Sequence, residues 1–411
     1  MINPQDRFWS DSGGYDPPMD NPASKCFLNV WDWDQLRMIK VRGTVKLFPP
    51  DGNVELSVLA PLADYLSPEV RAITVDDDGL LTEISTDPEE DDTMFIAYPP
   101  FSLCDSLANC HTVQYSELQE LDRLGPFIDL VSYEDESGIS QKVVFKFNVL
   151  NKPLRLQMAW DELNILKSLP PHSNMVPFDS VVLDESRVIG FTTKYIQSGT
   201  LANPKLLFRF EWLQQLTQLV DFLNLEYGIM HQDIAPRNLL IDPRTHKILL
   251  FDFDRAACGE KNLRDGRDDV SSVVFTIYEL ITNDTSFSSI PHWERNMNMV
   301  QGILEWTSHR ELDSAVSRFR NFLNEWVAKR RSDVDGDMKR YLNAPNRLAL
   351  PDRPTAPEYR VPYDSGTIAG QPTWVTGYRY RRDAMKLGQH CFRWERPPQS
   401  RLLKKTEHNV K

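Results

Sequence analysis

"GIMHQDIAPRNLLID", residues 228–242, sets His231, Asp233, Arg237 and Asn238 within eight residues, between two apolar runs. "HKILLFDFDRA", residues 246–256, follows closely, and there Asp252 and Asp254 come after a strand-like apolar run. Polar groups at the ends of buried apolar stretches are costly unless they find partners. A ligand carrying charge and hydrogen-bonding groups of its own is a suitable partner.

The chain has 411 residues, more than one typical domain and enough for two or three. With 41% hydrophobic and 26% charged residues it can build a packed core. A formal net charge of −13 argues against a general nucleic-acid coat and an anionic membrane surface, but leaves room for a local basic site. Cys26, Cys104, Cys110, Cys258 and Cys391 form no C-x-x-C pair, so neither a zinc ribbon nor a redox motif is expected. The start, "MINPQDRFWSDSGG", lacks a basic-then-apolar signal pattern, and no apolar run approaches bilayer length. These features predict a soluble cytoplasmic or nuclear protein with reduced cysteines.

Residues 1–26, rich in Pro, Gly, Asp and Ser, read as a flexible N-terminus. Residues 27–110 read as a β-rich region, with "RMIKVRGTVKLF" and "NVELSVLAP" alternating as half-buried strands do. The acidic stretch "TVDDDGLLTEISTDPEEDDT" reads as a solvated loop. Residues 111–197 hold more strands, the helical pattern "LRLQMAWDELNILKSL" and a hairpin, "SVVLDESRVIGFTTKYI". Residues 198–335 are mainly helical, and 336–411 form a Pro/Tyr/Arg-rich basic tail that packs on the body or binds a partner protein. Strands first and helices later describe an α+β, two-lobed body.

Phosphoryl transfer requires a phosphate cradle, a cation on the phosphates, carboxylates for Mg²⁺ and a base that orients the acceptor. Lys146, in "VVFKF", stands in a strand where a charge needs a partner, and Glu162 follows sixteen residues later on a helix. An ion pair between them would fix Lys146 for the phosphates of ATP. Asp233 can face an acceptor hydroxyl while Asn238 reaches a metal, leaving His231 to hold the loop. Asp252 and Asn238 supply oxygen ligands suited to a hard cation such as Mg²⁺.

The order V-V-F-K, Glu162, H-Q-D-I-A-P-R-N and D-F-D resembles the protein kinase superfamily, in particular its divergent fungal members, over about residues 112–333. The resemblance implies a kinase-like fold with a strand-rich N-lobe and a helical C-lobe, flanked by an N-terminal β-containing extension and a C-terminal tail. It makes "FTTKYIQSGTL" the hinge, with Thr193 as gatekeeper and Lys194, Tyr195 and Ile196 contacting adenine, and it makes Gly125 the remnant of the phosphate loop. "DDVSSVVFTIYELIT" resembles the kinase helix that starts D-V-W-S, with Asp269 at its anchoring position.

The departures are informative. "LGPFIDLV" has no G-x-G-x-x-G; Gln232 replaces the arginine of H-R-D; D-F-G has become D-F-D. Only seventeen positions separate Asp252 from Asp269, without A-P-E. Arg237, as in the D-L-A-A-R-N loop of tyrosine kinases, takes the contact near the γ-phosphate. Asp254 stiffens its turn or joins Asp252 at a second metal. Three functions follow: an ATP-dependent phosphotransferase acting on a hydroxyl, with a protein as the favoured acceptor; a pseudokinase scaffold; or a small-molecule kinase of the aminoglycoside or choline type. Membrane and nucleic-acid partners are not expected, although Arg and Tyr interleave in the tail.

Overall fold

The computed structural model describes residues 2–15, 21–48, 55–332, 336–354, 360–363, 373–376 and 379–401. The chain divides into two units, one comprising Met1–Leu156, Ser180–Thr192 and Pro354–Lys411, the other Gln157–Asp179 and Thr193–Arg353.

The first unit contains two large sheets. One has the order β1 (Phe8–Tyr15), β2 (Lys25–Asp32), β3 (Arg37–Thr44), β4 (Ala72–Val75) and β5 (Leu81–Ser85). β2 and β3 are antiparallel with Val30 opposite Ile39, and β4 joins β3 in parallel with Ile73 opposite Val41. Those four side chains are buried with Phe48, Val58 and Leu59 in one apolar cluster. The expected flexible N-terminus is in part β1, which pairs with β2 across a bulge between Ser10 and Ser12. Backbone pairing gives a Ser/Gly-rich segment order that its composition does not announce.

"NVELSVLAP" also departs from expectation. Its described part is a π-helical turn, Glu55–Leu59, running into α1 (Ala60–Ala63). Val58, Leu59, Leu62, Ala63 and Leu66, at helical spacing, face the cluster together. Much of the acidic stretch is likewise structured: β4 and β5 form a hairpin whose turn is closed by the Asp76 carboxylate, accepting from the amides of Asp78 and Leu80.

The second sheet runs β6 (Thr112–Gln114), β10 (Phe178–Asp184), β11 (Arg187–Lys194), β9 (Ser140–Phe147), β8 (Ile128–Glu134), β7 (Gln119–Gly125). β10 and β11 are the predicted hairpin, turning at Glu185 with φ of 53°. On β9 the residues alternate: Val143, Phe145 and Phe147 are buried, and Lys146 is half-buried. β11 is pressed close to β9 at Gly190, where any Cβ would collide with the Lys146 carbonyl and the Phe145 ring.

Beside the cluster of the first sheet, residues from 27–110 and 111–156 share a second apolar cluster. Trp31, Trp33 and Tyr98 are buried in a cluster with Val131, Phe145 and Phe147. The C-terminal segment completes it. Trp394 stacks on Phe147 at 4.8 Å and donates to the Tyr98 hydroxyl at 2.9 Å. Charged pairs secure that segment. Arg381, on α8 (Arg381–Lys386), binds Asp91 at 2.7 Å and also Glu395, while Arg382 and Lys386 meet Asp92 and Glu89 of the acidic stretch. Arg396 pairs with Asp129, and Arg123 donates to Asp34 at 2.8 Å and to the Pro397 carbonyl at 2.7 Å. Thus the described part of the tail from residue 379 onward is built into this unit. Residues 360–363 and 373–376 are strands β16 and β17 of a hairpin.

The second unit contains the rest of α2 (Pro153–Ser168), then α3 (Phe210–Asp221), α4 (Asp269–Thr282), α5 (Asn298–Gln301), α6 (Val316–Arg330) and α7 (Gly336–Leu342). Two short antiparallel ribbons, β12 (Ile229–Met230) with β15 (Ala257–Cys258) and β13 (Leu239–Ile241) with β14 (Ile248–Leu250), carry the polar loops between these helices. α4 starts under an Asp268 side-chain cap and stops where Asn283 turns left-handed with φ of 57°. Its buried residues include Val270, Val273, Val274, Ile277 and Ile281, as its apolar pattern leads one to expect. Among the described residues, no helix is long and apolar enough to cross a membrane.

Candidate active site

The loop between β12 and β13 is built around a carboxylate with no solvent exposure. Asp269, the first residue of α4, accepts from the backbone amides of His231 and Gln232 and from Asn224 Nδ2, each at 2.8 Å. Burial raises its pKa, and these donors act against that rise. With both amides fixed, His231 points its ring inward. Its Nε2 lies 3.0 Å from the Phe251 carbonyl and its Nδ1 lies 3.3 Å from the Asp233 amide. A carbonyl can only accept and an amide N–H can only donate, so His231 donates through Nε2 and accepts at Nδ1. Its ring also sits edge-on to Phe253 at 4.7 Å, and His231 thereby ties the loop to the D-F-D turn.

Asp233 follows on this support. Arg237 Nη2 lies 2.7 Å from both carboxylate oxygens, and Asn238 Nδ2 donates to Oδ2 at 3.0 Å and to the Asp233 carbonyl at 2.8 Å. Both donations by Asn238 go to one residue, so its amide is oriented with the oxygen turned away, a hard donor available to a cation. Pro236 rigidifies the intervening 3₁₀ turn, Pro236–Asn238.

The D-F-D turn leaves β14. Asp252 has φ of 70°, a left-handed backbone that costs energy for a non-glycine residue and recurs at functional sites. Glu162 on α2 holds the next residue, its Oε1 accepting from the Phe253 amide at 3.0 Å. Asp254 lies 4.0 Å from the Arg255 guanidinium. Further along, Asp161 binds Lys261 at 3.2 Å and Asn262 at 2.8 Å, so two successive acids of α2 fasten the segment after β14. Asp161 was not singled out from sequence, although the D-E pair in "WDELNILKSL" was its signal.

Gln232 lies between His231 and Asp233. It has φ of 62° and is almost wholly buried. Its Nε2 donates to the carbonyls of Arg255 at 2.7 Å and Asn262 at 2.9 Å, and its Oε1 accepts from the Arg264 amide at 2.7 Å. The residue that replaces arginine is therefore a direct tie on the segment between D-F-D and α4.

Thr193 and Lys194 end β11, and Tyr195 and Ile196 follow. The Lys194 amide donates to the Pro177 carbonyl at 3.0 Å, and Ile196 packs with Val176 and Leu249 beside β13 and β14. The second unit thus brings together Asp233, Arg237, Asn238, Asp252 and Glu162 through the loop and turn they share. Lys146 and Gly125 belong to the first unit. Lys146 is opposite Ile128 in the β8–β9 ladder, and Gly125 ends β7, where an added Cβ would meet nothing within 4 Å. Among the described residues, no cluster of three or more His, Cys, Asp or Glu side chains could hold a metal by itself. Mg²⁺ does not need one, since it is held by one or two protein oxygens, water and substrate phosphates. Asn238 and Asp252 fit that donor set.

No family model matches the chain. Curated relatives do. A CBL-interacting serine/threonine-protein kinase 5 of Arabidopsis thaliana is 28% identical over 134 residues, 31% of this chain and 29% of the relative. Casein kinase II subunit alpha' of Saccharomyces cerevisiae is 31% identical over 128 residues, 28% of this chain and 35% of the relative. A CBL-interacting protein kinase 2 of Oryza sativa subsp. japonica is 27% identical over 139 residues, 32% and 30% of the two chains. The match spans about a third of the length of these curated relatives. The similarities support a relationship to the protein kinase superfamily, and the mixed α+β content is compatible with a kinase-like fold.

Proposed function

We propose that the chain is an ATP- and Mg²⁺-dependent phosphotransferase that moves the γ-phosphate onto a hydroxyl, with a protein as acceptor. The single observation behind this is the loop geometry of the second unit. Asp233 is held by Arg237 and Asn238 on a platform anchored by Asp269, beside a D-F-D turn fastened by Glu162. Asp233 orients the acceptor hydroxyl and takes its proton as the oxygen–phosphorus bond forms and the bond to ADP breaks. Arg237 moderates the charge on Asp233 and lies near the γ-phosphate. Asn238 and Asp252 would hold Mg²⁺, with Asp254 at a second position, and the ion would neutralise charge on the phosphates. By the kinase resemblance, Lys146 serves the phosphates with Gly125 at their cradle, and Thr193–Ile196 serve the adenine.

The test is phosphate transfer from labelled ATP with Mg²⁺ to protein and small-molecule acceptors, alongside Asp233→Ala. Transfer that falls about 10²–10⁴-fold in the variant supports the proposal. A wild-type rate no higher than the variant's, with no thermal stabilisation by millimolar ATP and Mg²⁺, overturns it in favour of a scaffold.

A further inference from the structure

A cleft of about 260 Å³ opens beside Asp233, entirely within the second unit, and Arg237, Glu279, His292 and Arg295 line it. Its floor is set by Gly266. That residue has φ of 71°, and a Cβ there would lie 2.5 Å from the His292 carbonyl, so the 266 turn and the 292 segment touch through backbone. Arg267, next to that turn, donates to the Gln232 carbonyl at 3.1 Å and lies 3.7 Å from Asp233.

Asp233 and Glu279 meet Arg237 and Arg295 in the lining, and Arg255, Arg264 and Arg267 stand near it. Arg237 and Asp233 form a pair, and Arg255 has Asp254 at 4.0 Å. Glu279 faces Arg237, Arg295 and Arg310, and burial pushes its pKa up. Arg295 donates to the carbonyls of Ile290 and Ser288, both at 2.8 Å, which orient it without neutralising it. Arg264 is exposed and sits in the same field as Arg255, Arg267 and Arg295. His292 reports that field: burial, then Arg267 and Arg295, hold its pKa at about 4, so it is neutral near pH 7. In a chain of net charge −13, five arginines, Arg237, Arg255, Arg264, Arg267 and Arg295, thus gather in and beside this cleft.

We propose that the acceptor is an acidic peptide segment, its hydroxyl residue flanked by carboxylates or phosphates that Arg264, Arg267 and Arg295 receive. Trp293 favours a peptide over a small anion. It is 74% exposed on the segment that backs Gly266, and an exposed indole is a typical anchor for a protein partner. The role of the hydroxyl rests on the phosphotransferase proposal, whereas the anion preference stands on the arrangement of charges alone.

The experiment separates the two. Short fluorescent peptides without a hydroxyl, flanked by Glu, Ala or Arg, are titrated with the full chain and followed by anisotropy. The Glu peptide binds about tenfold tighter than the Ala peptide at about 0.05 M salt, and the advantage vanishes near 0.5 M. Arg264→Glu, an exposed position, lowers Glu-peptide affinity several-fold with unchanged melting temperature. Arg267→Gln combined with Arg295→Gln abolishes the preference. Equal or tighter binding of the Ala or Arg peptide, no measurable binding of the Glu peptide, or an unaffected Arg264→Glu variant overturns the proposal. The same peptides bearing serine, threonine or tyrosine are then offered with ATP and Mg²⁺. Acid-selective binding without transfer refutes the phosphotransferase and leaves the anion site standing; transfer without acid selectivity does the reverse.

Discussion

Two buried sites, one in each unit, satisfy charge by different means. In the first unit, Arg381 lies among Asp91 and Glu395, and Arg396 against Asp129, so cations and anions distant in sequence clasp each other. In the loop of the second unit, Asp269 is buried against three N–H donors, with His231 and Gln232 above it. Ion clusters staple one chain segment to another, and their net contribution to stability is small because desolvation offsets attraction. A carboxylate receiving backbone amides instead dictates the path of the loop that carries Asp233, and that is a constraint on geometry.

The largest effect should come from breaking a staple on one side only. Arg381→Ala strands Asp91 and Glu395, and a loss of about 3–5 kcal/mol in urea unfolding is expected. Joint replacement by Arg381→Met, Asp91→Asn and Glu395→Gln should recover most of it. A harmless single substitution would mean that the C-terminal segment is not held by this cluster.

A smaller effect, of another kind, is expected from Asp269→Asn. One oxygen becomes an NH₂ that opposes N–H donors, costing roughly 2–3 kcal/mol. Amide hydrogen exchange should quicken at residues 231–233 more than in the first unit. Uniform quickening through both units would erase the contrast.

The smallest effect concerns His292. Its folded pKa of about 4 lies below the ordinary 6.5, so between these values the folded state holds fewer protons than the unfolded chain. Stability therefore rises with pH across that window, and acidification from neutral to about pH 5 costs stability through this residue. His292→Gln should lose about 1–3 °C less in melting temperature over that step, a modest figure because the ring is partly solvated. An unchanged pH profile would show that Arg267 and Arg295 do not act on it.

Much of the second unit was legible from residues close in sequence. His231, Asp233 and Asn238 belong to one short loop, and the apolar pattern of α4 locates Asp269. The β10–β11 hairpin and the alternation around Lys146 were legible for the same reason: periodicity is local. What escaped was long-range or aperiodic. Arg381 meets Asp91 across 290 positions, and nothing in "RRDAMK" or "DPEEDD" announces that meeting. The strand Phe8–Tyr15 is ordered by its neighbour rather than by its composition. Arg264, Arg267 and Arg295 read singly as loop charges, and only folding around Gly266 brings the first two near the cleft that Arg295 lines.

The uncharged amide of Gln232 has a consequence for control. It grips the backbone carbonyls of Arg255 and Asn262 directly, with no added group in between. A phosphatase would find nothing there to remove, nor an upstream enzyme anything to install. Such a clasp is made by the fold itself and needs no phosphate to close it.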